Sequence, residues 1–341
     1  MCTERKGDLQ QMNSICDQLS QARILREPVG KGTGYWVGAP TVFHDPRDHA
    51  TYLTYRIRRP RGVSPDRGGE ARIARAQSGD VFEDVFSLLK DEIGTASIER
   101  CYIHHARDGV WRYFISHVDP SDGRWCVSVI KAKSIPELDA RTLQPLFRAR
   151  QLGVEGVKDP WVMEMNACYY MFLSVALPTP DTSEQSHATL DIYNTGECIS
   201  ASALATSDDL ETWTWEGVVF QPSTCGWDAY CRRINSVIPF ARRFLAFYDG
   251  SASHHENYEE KTGLAVSNDL RVWHTLTPDG PLFTSPYSSG SLRYIDGQWR
   301  DGKLELFFEF AREDGSHDLR VVPIGSEEFS SFIVPLCPTT L

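Results

Sequence analysis

The sequence has no run approaching the roughly 18–20 apolar residues that a membrane span requires, so no spanning helix is expected. It also lacks a basic surplus. Forty-six acidic against 35 basic residues leave a net charge of −11, which argues against general affinity for nucleic-acid phosphates or an anionic membrane surface. Cys-x-x-Cys never occurs among the nine cysteines (2, 16, 101, 126, 168, 198, 225, 231, 337), so reduced, mostly buried thiols are the expectation. Gly-x-Gly-x-x-Gly, a phosphate loop and a Gly-x-Ser-x-Gly elbow are all missing, and no nucleotide cofactor is indicated. The first eight residues, Met1 to Asp8, contain no apolar core of the signal-peptide kind, which points to a cytoplasmic protein. No Ser/Gly-rich or low-complexity stretch marks an interdomain linker.

What is present favours strands. Aromatic residues make up 11% of the chain, nine of them Trp, and 25 Gly and 19 Pro punctuate it, a mixture suited to many short strands and tight turns. Residues 8–22 alone show helical spacing near the start, with Leu9, Met12, Ile15, Cys16 and Leu19 on one face. Afterwards come short apolar or alternating runs, such as 51–57, 111–115, 169–175, 243–248 and 304–310, bounded by Gly, Pro, Asp and Ser.

A repeat then sets the architecture. Ser207-Asp208-Asp209-Leu210-Glu211-Thr212-Trp213 recurs 60 residues later as Ser267-Asn268-Asp269-Leu270-Arg271-Val272-Trp273, a Ser-x-Asp-Leu-x-x-Trp motif. Ser and Asp side chains can close a turn on nearby amides, and the Trp can pack back between sheets. Innermost strands are expected near Gly38, Ile98, Asp159, Asn235 and Ser291, at intervals of 60, 61, 76 and 56 residues, the long one holding the polar insertion 178–197. The expectation is an all-β, five-bladed β-propeller over residues 23–341 with a short N-terminal helical segment over 1–22. Residues 23–28 would close the ring by adding an outer strand to the last blade. Two β-sandwiches would need a linker, and none is found.

In such a fold the starts of the innermost strands and the second-to-third-strand loops share one face around the axis. Asp45, Asp48, His49, Asp108 and Asp296 fall in first turns on the opposite face and are read as structural. The axial face gathers Trp36, Arg58, Arg59, Arg61, Glu99, Arg100, Lys158, Asp159, Asp228, Arg233, Asn235, Asp249, the segment 254–260, Arg293, Glu309, Arg312 and His317. Carboxylates, guanidinium groups and aromatic faces in one cup suit a hydroxyl-rich ligand. Asp119, Asp122 and Glu313 are read as solvated loop charges. His104-His105 and His254-His255 are adjacent pairs that point apart on a strand, so no metal site is expected.

Val157-Lys158-Asp159-Pro160-Trp161-Val162 followed by Tyr169–Ser174, the paired turns, and Gly290-Ser291-Leu292-Arg293-Tyr294 resemble the five-bladed propeller glycoside hydrolases. That superfamily includes the arabinanase and xylosidase type (family 43) and relatives such as the mannoside phosphorylases. The resemblance implies inverting hydrolysis by three carboxylates: an Asp base opening blade one, an Asp-Pro in blade three, and a Glu acid opening blade four. Only Asp159 matches. Gly38-Ala39-Pro40 and Arg233-Ile234-Asn235 stand at the other two positions.

The sequence therefore points to a carbohydrate-active enzyme acting on a small sugar or glycoside, glycosidase-like, without a cofactor. Asp159 is the main carboxylate, with Glu99, Asp228, Glu259 and Glu309 as candidate acids. Trp36, Arg100, Lys158, Arg233, Asn235, His255, Glu259, Arg293, Arg312 and His317 are candidate substrate contacts. The alternatives are phosphorolysis, with Arg58, Arg59, Arg61 and Arg233 holding phosphate, and a sugar-binding propeller without catalysis. The expected partner is a small carbohydrate, with no nucleic acid or membrane.

Overall fold

The computed structural model of the protein describes residues 15–77, 79 and 81–337. Twenty strands arrange as five blades around an axis. Blade one holds β2 (Trp36–His44), β3 (Thr51–Arg59), β4 (Arg67–Ala76) and β5 (Glu83–Leu89). Blade two holds β6 (Ile98–His105), β7 (Trp111–Val118), β8 (Trp125–Ala132) and β9 (Gln144–Arg148). Blade three holds β10 (Gly156–Met165), β11 (Cys168–Pro178), β12 (Cys198–Ser207) and β13 (Thr214–Phe220). Blade four holds β14 (Cys231–Phe240), β15 (Arg243–Ser251), β16 (Lys261–Ser267) and β17 (His274–Thr275). Blade five holds β18 (Leu292–Arg300), β19 (Lys303–Ala311) and β20 (His317–Gly325), and its outer strand is β1 (Arg23–Arg26). The ring closes as the sequence suggests, with Arg23 paired to Val321.

Two helical pieces cover one side of blades four and five. Residues 15–20 are helical, whereas the remainder of the expected helix before residue 15 lies outside the described residues. Ile15 and Leu19 pack with Phe329 and Ile333 of a second helix (Ser326–Ile333) in the same apolar cluster as Leu304 and Leu306. Among the described residues no helix is long and apolar enough to cross a membrane.

The repeated turns are the same object twice. Ser207 Oγ accepts from the amides of Asp209 and Leu210, and Asp209 Oδ1 accepts from Glu211 and Thr212 at 2.8 Å. Ser267 and Asp269 repeat all four bonds. Each turn puts its leucine in the left-handed region, Leu210 at φ 61° and Leu270 at φ 67°, and the side-chain acceptors offset that strain. Each tryptophan then packs against the preceding blade, Trp213 on Phe114 and Trp273 on Phe172.

Every innermost strand carries a β-bulge at the same axial level, a device that re-aims side chains without ending the strand. Ala39, Asp159 and Tyr294, equivalent residues in these bulges, have φ of 50°, 58° and 56°. Their amides are satisfied by the preceding blade's second strand: Ala39 by Glu309, Asp159 by Ser116 and Tyr294 by Asp249. A first-turn reading of Asp296 does not survive. The turn of blade five falls later, at Asp301-Gly302, and Asp296 lies inside β18, fully buried, accepting from the Val42 amide and Trp161 Nε1. The apolar run ahead of it continues further than the Asp-Gly pair suggests.

Candidate active site

Single parallel bridges tie Ser200 to Cys231, Lys261 to Leu292 and Trp36 to His317, drawing the starts of adjacent blades together on one face. Beneath that face the charges pair in a buried chain. Arg56 Nε and Arg58 Nη1 hold Glu99 at 2.6 and 2.8 Å. Arg293 bridges Glu309 and Glu260, both at 2.7 Å, and Arg233 reaches Glu260 at 2.9 Å and Asn257 at 2.6 Å. His317 lies between Glu309, 2.7 Å from Nδ1, and Glu259, 3.0 Å from Nε2.

Water exclusion and pairing decide the protonation states. Burial alone would raise Glu99, but the guanidinium groups of Arg56 and Arg58 outweigh it and hold it at about 2. The same competition leaves Glu309 well below the usual carboxylate range, through Arg293 and Arg56, and Glu260 at about 2, through Arg293 and Arg233. Burial works against protonation of His317, yet Glu259 and Glu309 raise it above the ordinary imidazole value. Asp249 differs. Burial first, and the Glu260 charge second, push its carboxyl up to about 7. Its Oδ1 accepts from the Tyr294 amide, while Oδ2 has no partner among the described residues.

Asp159 sits in the left-handed bulge of β10, 1% exposed, with Lys158 Nζ 3.4 Å from Oδ2. Its charge acts on Arg100, Arg233 and Tyr294, groups from three other blades, which places it on the axis. Neither carboxylate oxygen has a hydrogen-bond partner among the described residues, and Asn235 Nδ2 and Arg56 Nη1 are likewise unpaired. Buried polar atoms in this state ask for a polar guest. Lys158 also lies over the Trp125 and Tyr193 rings at 5.3 and 5.0 Å.

A roof covers the cluster. Trp36 stacks on His317 with centroids 4.8 Å apart, and the Arg58 guanidinium lies 4.4 Å from the Tyr258 ring centre and 5.1 Å from that of Trp36. Tyr258, at φ 78°, hydrogen-bonds Asp191 and Asn194 of the polar insertion. The sequence foresees an open cup; the structure has a closed one.

Of the residues expected at the site, Trp36, Glu99, Lys158, Asp159, Arg233, Asn235, Glu259, Arg293, Glu309 and His317 belong to this axial cluster. Arg100 belongs one layer deeper, clamping the carbonyls of Pro40 and Asn235. Three stand apart. Asp228, ahead of β14, is bound to Arg232, Ser223 and Tyr248. His255 is exposed, its ring against His254. Arg312 is partly exposed and faces Glu27 and Asp318. Arg56 and Asp191 were not singled out by sequence reasoning, whereas Tyr258 and Glu260 fell within the segment 254–260 read as axial. Arg56 alternates inward on β3, a signal that β-periodicity carries, whereas Asp191, in a loop, has none. Among the described residues no group of three or more His, Cys, Asp or Glu is arranged to hold a metal ion.

No family model matches the chain and no curated protein matches it in sequence. Solved structures do. A glycoside hydrolase shares 14% identity at TM-score 0.61, covering 93% of this chain and 96% of its own. The GH43_1 enzyme from Xanthomonas citri complexed with xylotriose shares 12% at 0.59, covering 93% of each chain. The β-1,2-mannobiose phosphorylase from Listeria innocua, in complex with β-1,2-mannobiose, shares 13% at 0.58, covering 91% and 95%. At such identities the likeness is one of fold, and the chain is a five-bladed β-propeller with the architecture of the family-43 glycoside hydrolases.

Proposed function

We propose that the protein is a carbohydrate-active enzyme that cleaves the glycosidic bond of a small sugar conjugate bound on the propeller axis, beside Asp159. The observation that carries this reading is the buried Asp159 carboxylate, with no hydrogen-bond partner at either oxygen among the described residues and with Lys158 Nζ 3.4 Å from Oδ2. Its neighbours supply the rest. The unpaired Asn235 amide and Arg56 nitrogen offer donors to hydroxyls.

Glycoside cleavage needs one carboxyl that holds a proton and one that does not. Glu99 and Glu309 are neutralised by arginines and are poor proton donors. Asp249, raised to about 7, is the acid in this reading, giving its proton to the leaving oxygen. Asp159 is the partner carboxylate, stabilising positive charge at the anomeric carbon or taking a proton from the attacking water. Because Asp159 and Asp249 are both buried, this reading requires the segment 252–260 that carries Tyr258 to move aside for substrate to enter. Phosphorolysis has less support, because of the four arginines expected to hold phosphate Arg58 and Arg233 are already matched to Glu99 and Glu260, and only Arg59 keeps a buried nitrogen without a hydrogen-bond partner among the described residues. A binding propeller without turnover is the second reading. It is favoured by Ala39 and Ile234–Asn235 standing where the resemblance implies carboxylates.

The test is turnover and calorimetric binding across a panel of small aryl glycosides. Asp159→Asn is expected to fold, retain binding and lose about 10²–10⁴ in turnover. Undiminished turnover in that variant would remove Asp159 from the reaction. Binding without turnover in the unaltered protein would select the second reading.

A further inference from the structure

The innermost strands run from the charged face to an opposite mouth, and their far ends line a cavity of about 480 Å³. All five blades contribute. Phe43 of β2, Tyr102 and His104 of β6, Trp161 of β10, Ile238 of β14 and Trp299 of β18 form its walls. The size falls within the range of small-molecule pockets, which are mostly apolar with a few polar groups that fix orientation.

The charges here are spent. Glu164, at the rim, is paired with Arg107, and Asp296, beneath the walls, accepts from the Val42 amide, Trp161 Nε1 and Gln298 Nε2. A charged guest would find no free counter-ion in these walls. His104 is the exception among the lining side chains. It is 4% exposed, and neither ring nitrogen has a hydrogen-bond partner among the described residues. Glu164 Oε2 stands 3.7 Å from Nε2, beyond hydrogen-bond reach. Burial lowers the His104 pKa from its ordinary value, so near pH 7 the ring is neutral, with one donor and one acceptor. A buried imidazole left unpaired on both sides is costly, and a ligand that both gives and takes one hydrogen bond relieves it. A sugar would carry several hydroxyls into walls that cannot pair them. A hydrocarbon would leave the imidazole as it is.

We propose that this far mouth is a second binding site, for a small neutral aromatic alcohol whose ring packs among Phe43, Tyr102, Trp161 and Trp299 and whose hydroxyl bonds His104. The site lies at the other end of the axis from Asp159 and does not depend on the reading given above.

Calorimetric titration with 4-methylphenol and with p-xylene, which has the same shape without the hydroxyl, tests it. The phenol is expected to bind saturably and one to one, and p-xylene about tenfold more weakly, the worth of one hydrogen bond. His104→Phe should close that gap to about twofold or less. Met163→Trp, at the partly exposed rim and therefore tolerable to the fold, should fill the cavity and abolish binding of both. Asp159→Asn should leave both affinities unchanged. Absence of saturable binding, equal affinity for the two probes, or phenol binding that survives Met163→Trp would each overturn the proposal.

Discussion

The two mouths of one axis have opposite chemistry. At the end where the innermost strands begin, glutamates and arginines interlock under a roof of Trp36, Arg58 and Tyr258. At the end where they finish, aromatic and aliphatic walls leave an open hollow. The strands are the same; the bulges between the two levels make the difference. Ahead of the bulges the blades bring mostly charged side chains to the axis, and beyond them, Asp296 apart, mostly apolar ones. A propeller axis is therefore two environments stacked on one another. In the upper one, interior charge is tolerated only because nearly every ion has an opposite partner.

That contrast can be broken most forcefully at Glu309, which binds Arg293, His317 and the Ala39 amide within 3.1 Å. Removing it takes one of two anions from both Arg293 and His317 and leaves the Ala39 amide without its acceptor, so Glu309→Ala should cost about 3–5 kcal/mol in urea unfolding at pH 7. A loss below 1 kcal/mol, on the order of a surface pair, would mean that water already solvates the upper level.

Asp249 sharpens the comparison through pH. Its folded pKa, about 7, lies above the unfolded value of roughly 3.9, so between these pH values the folded state holds a proton that the unfolded state has released. Its contribution to stability is therefore present below about pH 4 and falls away as pH rises through about 7. Asp249→Asn abolishes that loss, and its stability relative to the parent should rise between pH 5 and pH 8. An unchanged difference at the two pH values would show the carboxyl to be ionised throughout.

The smallest effect belongs to the lower mouth. Glu164 and Arg107 are 35% and 54% exposed, and Glu164→Gln should alter stability by about 0.5 kcal/mol or less. A cost near that of Glu309→Ala would erase the distinction between the two ends.

How much of this was legible beforehand follows from which forces act locally. The Ser-x-Asp-Leu-x-x-Trp turns repeat because their bonds are made within six residues, so spacing alone reveals them and, with them, the blade period. Ring closure by residues 23–26 was readable because a propeller has to hide its last edge. Propeller topology, which turns the starts of the innermost strands toward one face, placed Glu99, Lys158 and Asp159 at the axis. It could not show that Glu99 is locked by Arg56 and Arg58, since that pairing depends on the rotation between two blades. Asp228 and Arg312 went astray for a related reason. Their local partners, Arg232 in one case and Asp318 in the other, hold them away from the axis, and a charge beside an apolar strand looks the same whichever way it turns. The roof was illegible because it is made by two loops, around Asp191 and Tyr258, that are 67 residues apart.

The seam between β1 and β20 also governs how the protein is made. Arg23 is made ahead of all five innermost strands yet has no mate until Val321 exists, so the closing strand must wait for them. Every other blade is knit from neighbouring hairpins, whereas this one pairing spans the longest loop available and bears its entropy. A circular permutant opened between β1 and β2 would turn that distant meeting into a short-range one, and the ring would then close like any other hairpin.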